Sequence, residues 1–126
     1  MKLRFEKNSV RFRVRKSDLA LLNHQGFVQE TVQFPDALFR FQLRVSGEGD
    51  PSAQFNGNSI TANIPAGMAT EWMKTEEVGI YHVQHINNET LEITIEKDFP
   101  CKDRPEEDRS DTFIELAENS GKNEVC

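Results

Sequence analysis

Apolar and polar residues alternate with a period of two along most of the chain. The pattern is clear over residues 2–6, 10–15 and 91–96, where apolar positions alternate with charged ones. Successive side chains of a strand point to opposite faces of a sheet, so each segment predicts a strand with one apolar face and one polar face. Short polar segments such as Lys7-Asn8 and Asn56-Gly57 separate these strands and predict tight turns.

Two segments depart from this pattern and predict short helices. Over residues 17–25, Leu19 and Leu22 share one face at helical spacing, and Gly26 is the left-handed residue that ends many helices. The segment from Pro65 to about Lys74 begins with proline, which is favoured at a first helical position. The fold class predicted is therefore mainly β, an antiparallel meander of about eight strands that forms a barrel or a sandwich with two short helices.

The length of 126 residues corresponds to one domain. We expect a single β-rich domain over residues 1–113, with its core strands within 1–97 and an acidic closing segment at 98–113. Residues 114–126 are polar and predict a disordered tail, since they offer little apolar surface to bury. The predicted core includes the apolar residues Phe12, Phe39, Phe41 and Leu43.

Composition and cysteine content indicate a location in the cytoplasm. Hydrophobic residues make up 37% of the chain and charged residues 29%, which is typical of a globular protein and excludes global disorder. No apolar run approaches the roughly 20 residues that span a bilayer, so no membrane association is expected. Two cysteines are too few for a disulfide framework.

Charge is divided unevenly along the chain. Residues 1–44 hold nine Lys or Arg against four acids, a balance of +5, whereas residues 45–126 hold six against seventeen, a balance of −11. A folded chain with this division either pairs its two halves or presents two distinct faces. We therefore expect the acidic stretch from Glu106 to Asp111 to lie near part of the basic first half.

Several arginines alternate with apolar residues on the predicted strands and form a candidate anion-binding surface. The candidates are Arg4, Arg11, Arg13, Arg15, Arg40 and Arg44. Such a surface fits a small anionic ligand or an acidic protein. Nucleic acid is disfavoured, because no aromatic residues that could stack bases lie among these arginines. The simpler interpretation is a solvated face on which the arginines pair with Glu6, Glu92 and Glu96 across strands.

The closing segment offers a candidate cation site. Its members are Cys101, Glu107, Asp108 and Asp111. A thiolate is a soft ligand, and the spacings match neither a zinc knuckle nor a calcium loop. The pattern therefore favours a buried cysteine followed by a solvated acidic loop.

No motif predicts catalysis or a cofactor. The sequence has neither a glycine-rich phosphate-binding loop nor the glycine-flanked serine of a nucleophile elbow. A barrel lined with charges, as in triphosphate-tunnel enzymes, would expose Phe12 and Phe41 to solvent and is disfavoured. We expect a non-enzymatic binding or interaction module. The alternative is a binder of, or an enzyme acting on, a phosphorylated or otherwise anionic small molecule through the arginine face.

Several short motifs together resemble a family of short, uncharacterised bacterial proteins. They are Lys2-Leu3-Arg4-Phe5, the stretch from Asn8 to Val14, Trp72, Val78-Gly79, and Glu96-Lys97-Asp98-Phe99 with Cys101. The resemblance covers most of residues 1–113. It implies a bacterial, β-rich domain and implies neither a catalytic residue nor a substrate.

Overall fold

The computed structural model describes residues 1–99 and 111–119. The elements are β1 (Lys2–Glu6), β2 (Ser9–Val14), α1 (Lys16–Gln25), β3 (Phe27–Gln33), β4 (Leu38–Ser46), β5 (Ser52–Asn56), β6 (Ser59–Pro65), α2 (Ala66–Lys74), β7 (Gly79–Ile86), β8 (Glu89–Lys97) and α3 (Ile114–Asn119). The described part is thus mainly β, as the alternation predicts.

The eight strands form two four-stranded sheets. The first sheet has the order β1-β2-β8-β7 and the second has the order β3-β4-β6-β5. Each sheet joins two antiparallel hairpins through one central parallel pair, which is β2 with β8 in the first sheet and β4 with β6 in the second. The described strands form a sandwich-like pair of sheets with no closed barrel, so the sandwich alternative fits and the antiparallel meander does not, because two of the six strand pairings are parallel. Alternation predicts the face that a side chain takes, but it does not identify the neighbouring strand.

The two halves of the chain repeat one motif of hairpin, helix and hairpin. The first repeat contains β1, β2, α1, β3 and β4, and the second contains β5, β6, α2, β7 and β8. The repeats exchange hairpins, so each sheet contains one hairpin from each half. This topology has the symmetry of a two-fold rotation, which relates the first sheet to the second.

The strand register follows the repeat residue by residue. β1 pairs with β2 from Lys2 opposite Arg13, and β5 pairs with β6 in the equivalent way from Ser52 opposite Asn63. Side-chain contacts are repeated as well: Asn8 Nδ2 donates to the carbonyl of Thr90, and Asn58 Nδ2 donates to the carbonyl of Leu38. The triplets Asn8-Ser9-Val10 and Asn58-Ser59-Ile60 are the visible trace of this repeat in the sequence.

The core lies between the inner faces of the two sheets and is extended by α1 and α2. Phe12, Leu43 and Trp72 are fully buried, Phe41 is buried, and Phe39 is partly buried against the same cluster. The predicted core residues therefore face inward, which rules out an interior lined by the arginines that alternate with them. The Trp72 indole donates a hydrogen bond of 3.1 Å to the carbonyl of Val78, so its one polar atom is satisfied.

The ends of α1 differ in part from the sequence prediction. The helix begins at Lys16, and Asp18 accepts a 2.8 Å hydrogen bond from the backbone N–H of Arg15, so Asp18 and not Ser17 completes the cap. Gly26 ends the helix with a φ of 84°, as predicted. In the third hairpin Asn56 is the last residue of β5, so its turn lies one residue later than predicted.

The described residues that follow β8, which are 98–99 and 111–119, pack back onto the sandwich. The Phe113 N–H donates a 2.7 Å hydrogen bond to the carbonyl of Asp98, and Phe99, Phe113 and Leu116 form a small apolar cluster. Residues 114–119 were predicted to be disordered, but they form α3, because Leu116 has apolar neighbours to pack against. Residues 120–126 lie outside the described part. None of the described helices is long and apolar enough to cross a membrane.

Candidate functional site

The outer face of the first sheet carries three rows of side chains that cross its four strands. We call this surface the charged face. Each row is given in the spatial order β1, β2, β8 and β7. The first row is Lys2, Arg13, Glu96 and Gly79, the second is Arg4, Arg11, Thr94 and Tyr81, and the third is Glu6, Ser9, Glu92 and Val83. The parallel pairing of β2 with β8 places the basic side chains of one strand beside the acidic side chains of the other.

Glu96 is the buried centre of the charged face, with only 4% of its surface exposed. Its Oε1 lies 3.5 Å from Nε of Arg11 and 3.7 Å from Nε of Arg13. The hydroxyl of Tyr81 donates a 2.9 Å hydrogen bond to the other oxygen, Oε2. The two arginines compensate the buried charge of the carboxylate, although Oε1 has no hydrogen-bond partner among the described residues.

Gly79 makes room for this arrangement. It lies opposite Glu96, and a Cβ added at residue 79 would lie 2.9 Å from Cγ of Glu96, from the carbonyl oxygen of Ile95 and from the hydroxyl of Tyr81. Heavy atoms do not approach a Cβ that closely without displacement. Only glycine fits at this position without a steric clash, because any side chain would push Tyr81 away from Glu96.

Arg13 is held from several sides and has a structural role. Besides its contact with Glu96, Arg13 has two further contacts. Its Nη1 lies 3.8 Å from Oδ1 of Asp98, and its guanidinium lies 5.3 Å from the centre of the Phe99 ring. Asp98 is buried, and its Oδ2 lies 3.2 Å from Nζ of Lys2. These contacts connect the edge of the first sheet to the segment that follows β8.

Arg4 and Arg11 face a cleft of about 420 Å³ on the same surface. Glu6, Lys7, Tyr81, Glu92 and Thr94 are among its other lining residues. Arg4 lies directly opposite Arg11 in the strand register, and among the described residues it has no ion-pair partner. Like charges directly opposite each other destabilise a sheet. The volume of the cleft lies in the range of small-molecule sites.

The structure distributes the six predicted arginines over three places. Arg4, Arg11 and Arg13 lie on the charged face, as described above. Arg40 and Arg44 lie on β4 of the second sheet, where the Arg44 guanidinium stacks 5.4 Å from the centre of the Phe27 ring. Arg15 is the residue that precedes α1. The six arginines therefore do not share one sheet, and only Arg4 and Arg11 line the cleft.

Of the predicted cation ligands, only Asp111 belongs to the described residues. Cys101, Glu107 and Asp108 lie outside them. Asp111 binds the first turn of α1: its carboxylate accepts a 3.1 Å hydrogen bond from the backbone N–H of Ser17 and a 2.5 Å bond from the Ser17 hydroxyl. These hydrogen bonds lower the pKa of Asp111, chiefly through the hydroxyl. No group of three potential metal ligands occurs among residues 1–99 and 111–119.

Asp111 also bears on the predicted contact between the acidic and basic parts of the chain. Its backbone carbonyl accepts a 3.4 Å hydrogen bond from the N–H of Lys16, in the basic first half. The end of the acidic stretch therefore lies where predicted. Residues 106–110 fall outside the described part.

Lys97 is a buried charge that the alternation did not predict. It takes the inward-facing position after Ile93 and Ile95, and its ammonium donates a 2.7 Å hydrogen bond to the carbonyl of Thr75. Burial lowers the pKa of Lys97, and the nearby carboxylate of Glu77 opposes this shift. Lys97 faces away from the charged face, so its role is structural.

The alternation in the sequence predicts Arg4 and Arg11 as site residues, but it does not predict the polar partners that complete the cleft. Tyr81 and Thr94 lie in the same row as these arginines only because β8 lies between β2 and β7. The polar positions of β8 were visible in its alternation. Their position beside β2 was not, because the two strands are far apart in the chain.

No match to this chain was found among curated proteins or among solved structures. A family model does match, and it covers residues 1–116, which include both sheets, all of the charged face and the segment that packs back onto α1. The chain therefore belongs to DUF7009, a family of unknown function.

Proposed function

We propose that this protein is a non-enzymatic binding module and that its ligand is a small anionic molecule bound in the cleft of the charged face. The observation that supports the proposal is the direct opposition of Arg4 and Arg11 at the cleft. An anion between the two guanidinium groups would remove their repulsion and form charge-assisted hydrogen bonds to both. A bacterial origin and a cytoplasmic location are parts of this proposal.

The lining of the cleft narrows the class of ligand. Arg11 contacts Glu96 through Nε, which leaves its terminal amino groups free to bind a carboxylate or a phosphate. Glu6 and Glu92 line the cleft as well and accept hydrogen bonds. We therefore expect a ligand that combines one anionic group with hydroxyl or amino donors.

The test measures thermal stability with inorganic phosphate, sulfate and citrate, each at matched ionic strength. A ligand that binds only the native state raises its melting temperature. We expect at least one of these anions to stabilise the wild type, and we expect Arg4→Gln and Arg11→Gln to abolish the effect. Arg44→Gln is the matched control, because Arg44 lies on the second sheet.

Ligand-free stability provides a second readout. Because Arg4 repels Arg11, Arg4→Gln should stabilise the empty protein by about 0.2–1 kcal/mol while it removes anion binding. Absence of stabilisation by every anion, or an equal loss in Arg44→Gln, would contradict the proposal.

A further inference from the structure

The four hairpin turns lie at one end of the sandwich, which we call the turn end. β2 and β8 run parallel and both start at a turn, and the same holds for β4 and β6. A groove of about 530 Å³ lies between the two sheets at this end. Phe5 and Val10 line it from the first sheet, and Ala53 and Phe55 line it from the second.

The core is uncovered at the turn end. Large apolar side chains near the turns are exposed: Phe5 (58%), Val32 (42%), Phe34 (49%), Phe55 (72%) and Ile86 (46%). By strand alternation Phe5, Val32, Phe55 and Ile86 belong to the inner faces of their sheets, and Phe34 directly follows β3. The two helices cover the opposite end of the core. α1 begins where β2 ends, and α2 begins where β6 ends. Leu22 of α1 and Trp72 of α2 pack against the core.

The sequence of 126 residues contains, outside the described residues, little apolar surface that could cover this end. No described element packs over the five side chains. The remaining sequence, residues 100–110 and 120–126, contains no aromatic residue and only one large aliphatic residue, Val125. Contiguous exposed apolar surfaces of this kind mark interaction sites in soluble proteins. We therefore look for the cover in another molecule.

We propose that the turn end is the interface of a homodimer, in which a second copy of this chain covers the five exposed side chains. The repeat places Phe5 equivalent to Phe55. It also places Phe34, which follows Gln33, equivalent to Ile86, which follows His85. Each half of the chain therefore contributes apolar side chains to the patch. A two-fold interface joins the same patch of both copies.

Area and charge agree with this partner. At 150–250 Å² for a whole aromatic side chain, the three phenylalanines expose about 270–450 Å² per copy, and Val32 and Ile86 add to this. The total approaches about 1,000 Å² for the pair, which is the lower bound for a specific interface. The turns also carry opposite charges, Lys7 on the first hairpin and Asp36 on the second. A two-fold contact lets each lysine approach an acid of the other copy.

Sedimentation velocity on the full chain over a broad concentration range tests the proposal. We expect a reversible dimer whose dissociation constant rises at least about 10-fold in Phe55→Ser and in Ile86→Ser. The matched control is Leu21→Ser, because Leu21 is 45% exposed but lies on α1. This control should leave the dissociation constant unchanged.

A monomer at all concentrations would overturn the proposal, and so would a dimer unaffected by both variants at the turn end. Binding of a monomeric wild type to phosphatidylcholine vesicles, lost in Phe55→Ser, would overturn it in favour of a lipid surface. If either variant fails to fold, hydrogen exchange of the wild type decides. Slower exchange in β5 at high than at low concentration supports the dimer, and unchanged exchange refutes it. The anion cleft is tested by different residues, so each proposal can fail alone.

Discussion

Gly79→Ala should destabilise the protein although it adds only one methyl group. The new Cβ would lie 2.9 Å from the Ile95 carbonyl oxygen, which cannot rotate away, and equally close to Cγ of Glu96 and the hydroxyl of Tyr81. Overpacking of this kind costs about 1–3 kcal/mol. Reduced entropy of the unfolded chain offsets about 0.4–1 kcal/mol of that cost. We therefore expect a net loss of about 1–2 kcal/mol in the free energy of unfolding.

Urea denaturation of the wild type and two glycine variants measures this effect. The control is Gly67→Ala, because a Cβ at residue 67 of α2 meets no atom within 4 Å. Alanine is a better helix former than glycine, so the control should gain about 0.5–1 kcal/mol. The two variants should thus shift in opposite directions. A Gly79→Ala protein as stable as the wild type would refute the steric argument and the closeness of Tyr81 to Glu96.

Three further predictions concern stability. Phe41→Ala should cost about 3–5 kcal/mol in chemical denaturation, and a loss below about 1 kcal/mol would place this ring at the surface. An N-terminal extension converts the Met1 ammonium, which lies 3.0 Å from Asp18 and 2.7 Å from Glu30, into an amide. The extended protein should be less stable by about 1–3 kcal/mol than the same protein after cleavage of the extension, and equal melts would contradict this. Finally, burial lowers the pKa of Lys97, so between that pKa and the ordinary value of 10.5 the folded state binds fewer protons than the unfolded state. The free energy of unfolding of the wild type, minus that of Lys97→Met, should therefore rise with pH in this window. A difference that does not change with pH would contradict the prediction.

The local parts of this fold could be predicted from the sequence, and the distant pairings could not. Alternation identified the strands and placed Phe12 and Leu43 inside, because the side-chain period of a strand is a local property. The parallel pair of Phe12 with Ile95 joins residues from opposite ends of the chain. Nothing local specifies such a neighbour, so the predicted antiparallel meander contains neither of the two parallel pairs.

The same limit applied to the candidate site. The arginines of β2 and the acids of β8 were both visible, and the contact of Arg11 with Glu96 was one of the pairings considered. That Arg44 belongs to another sheet could not be seen, because its alternation resembles that of Arg11. The repeat was missed because its trace is short, as the Asn-Ser pairs at residues 8 and 58 illustrate.

The exchange of hairpins between the two repeats has a consequence for the order of folding. Pairing β4 with β6 joins Leu43 to Ala62 and closes a loop of about 20 residues, whereas pairing β2 with β8 joins Val10 to Ile93 and closes one of about 80. Loop closure is entropically costlier and slower for the longer separation. We therefore expect the second sheet to form first and the sheet with the charged face to assemble last. Pulsed hydrogen exchange during refolding would show earlier protection in β4 and β6, and the reverse order would contradict this reasoning. The surface that we assign to the ligand then exists only when the whole chain has folded.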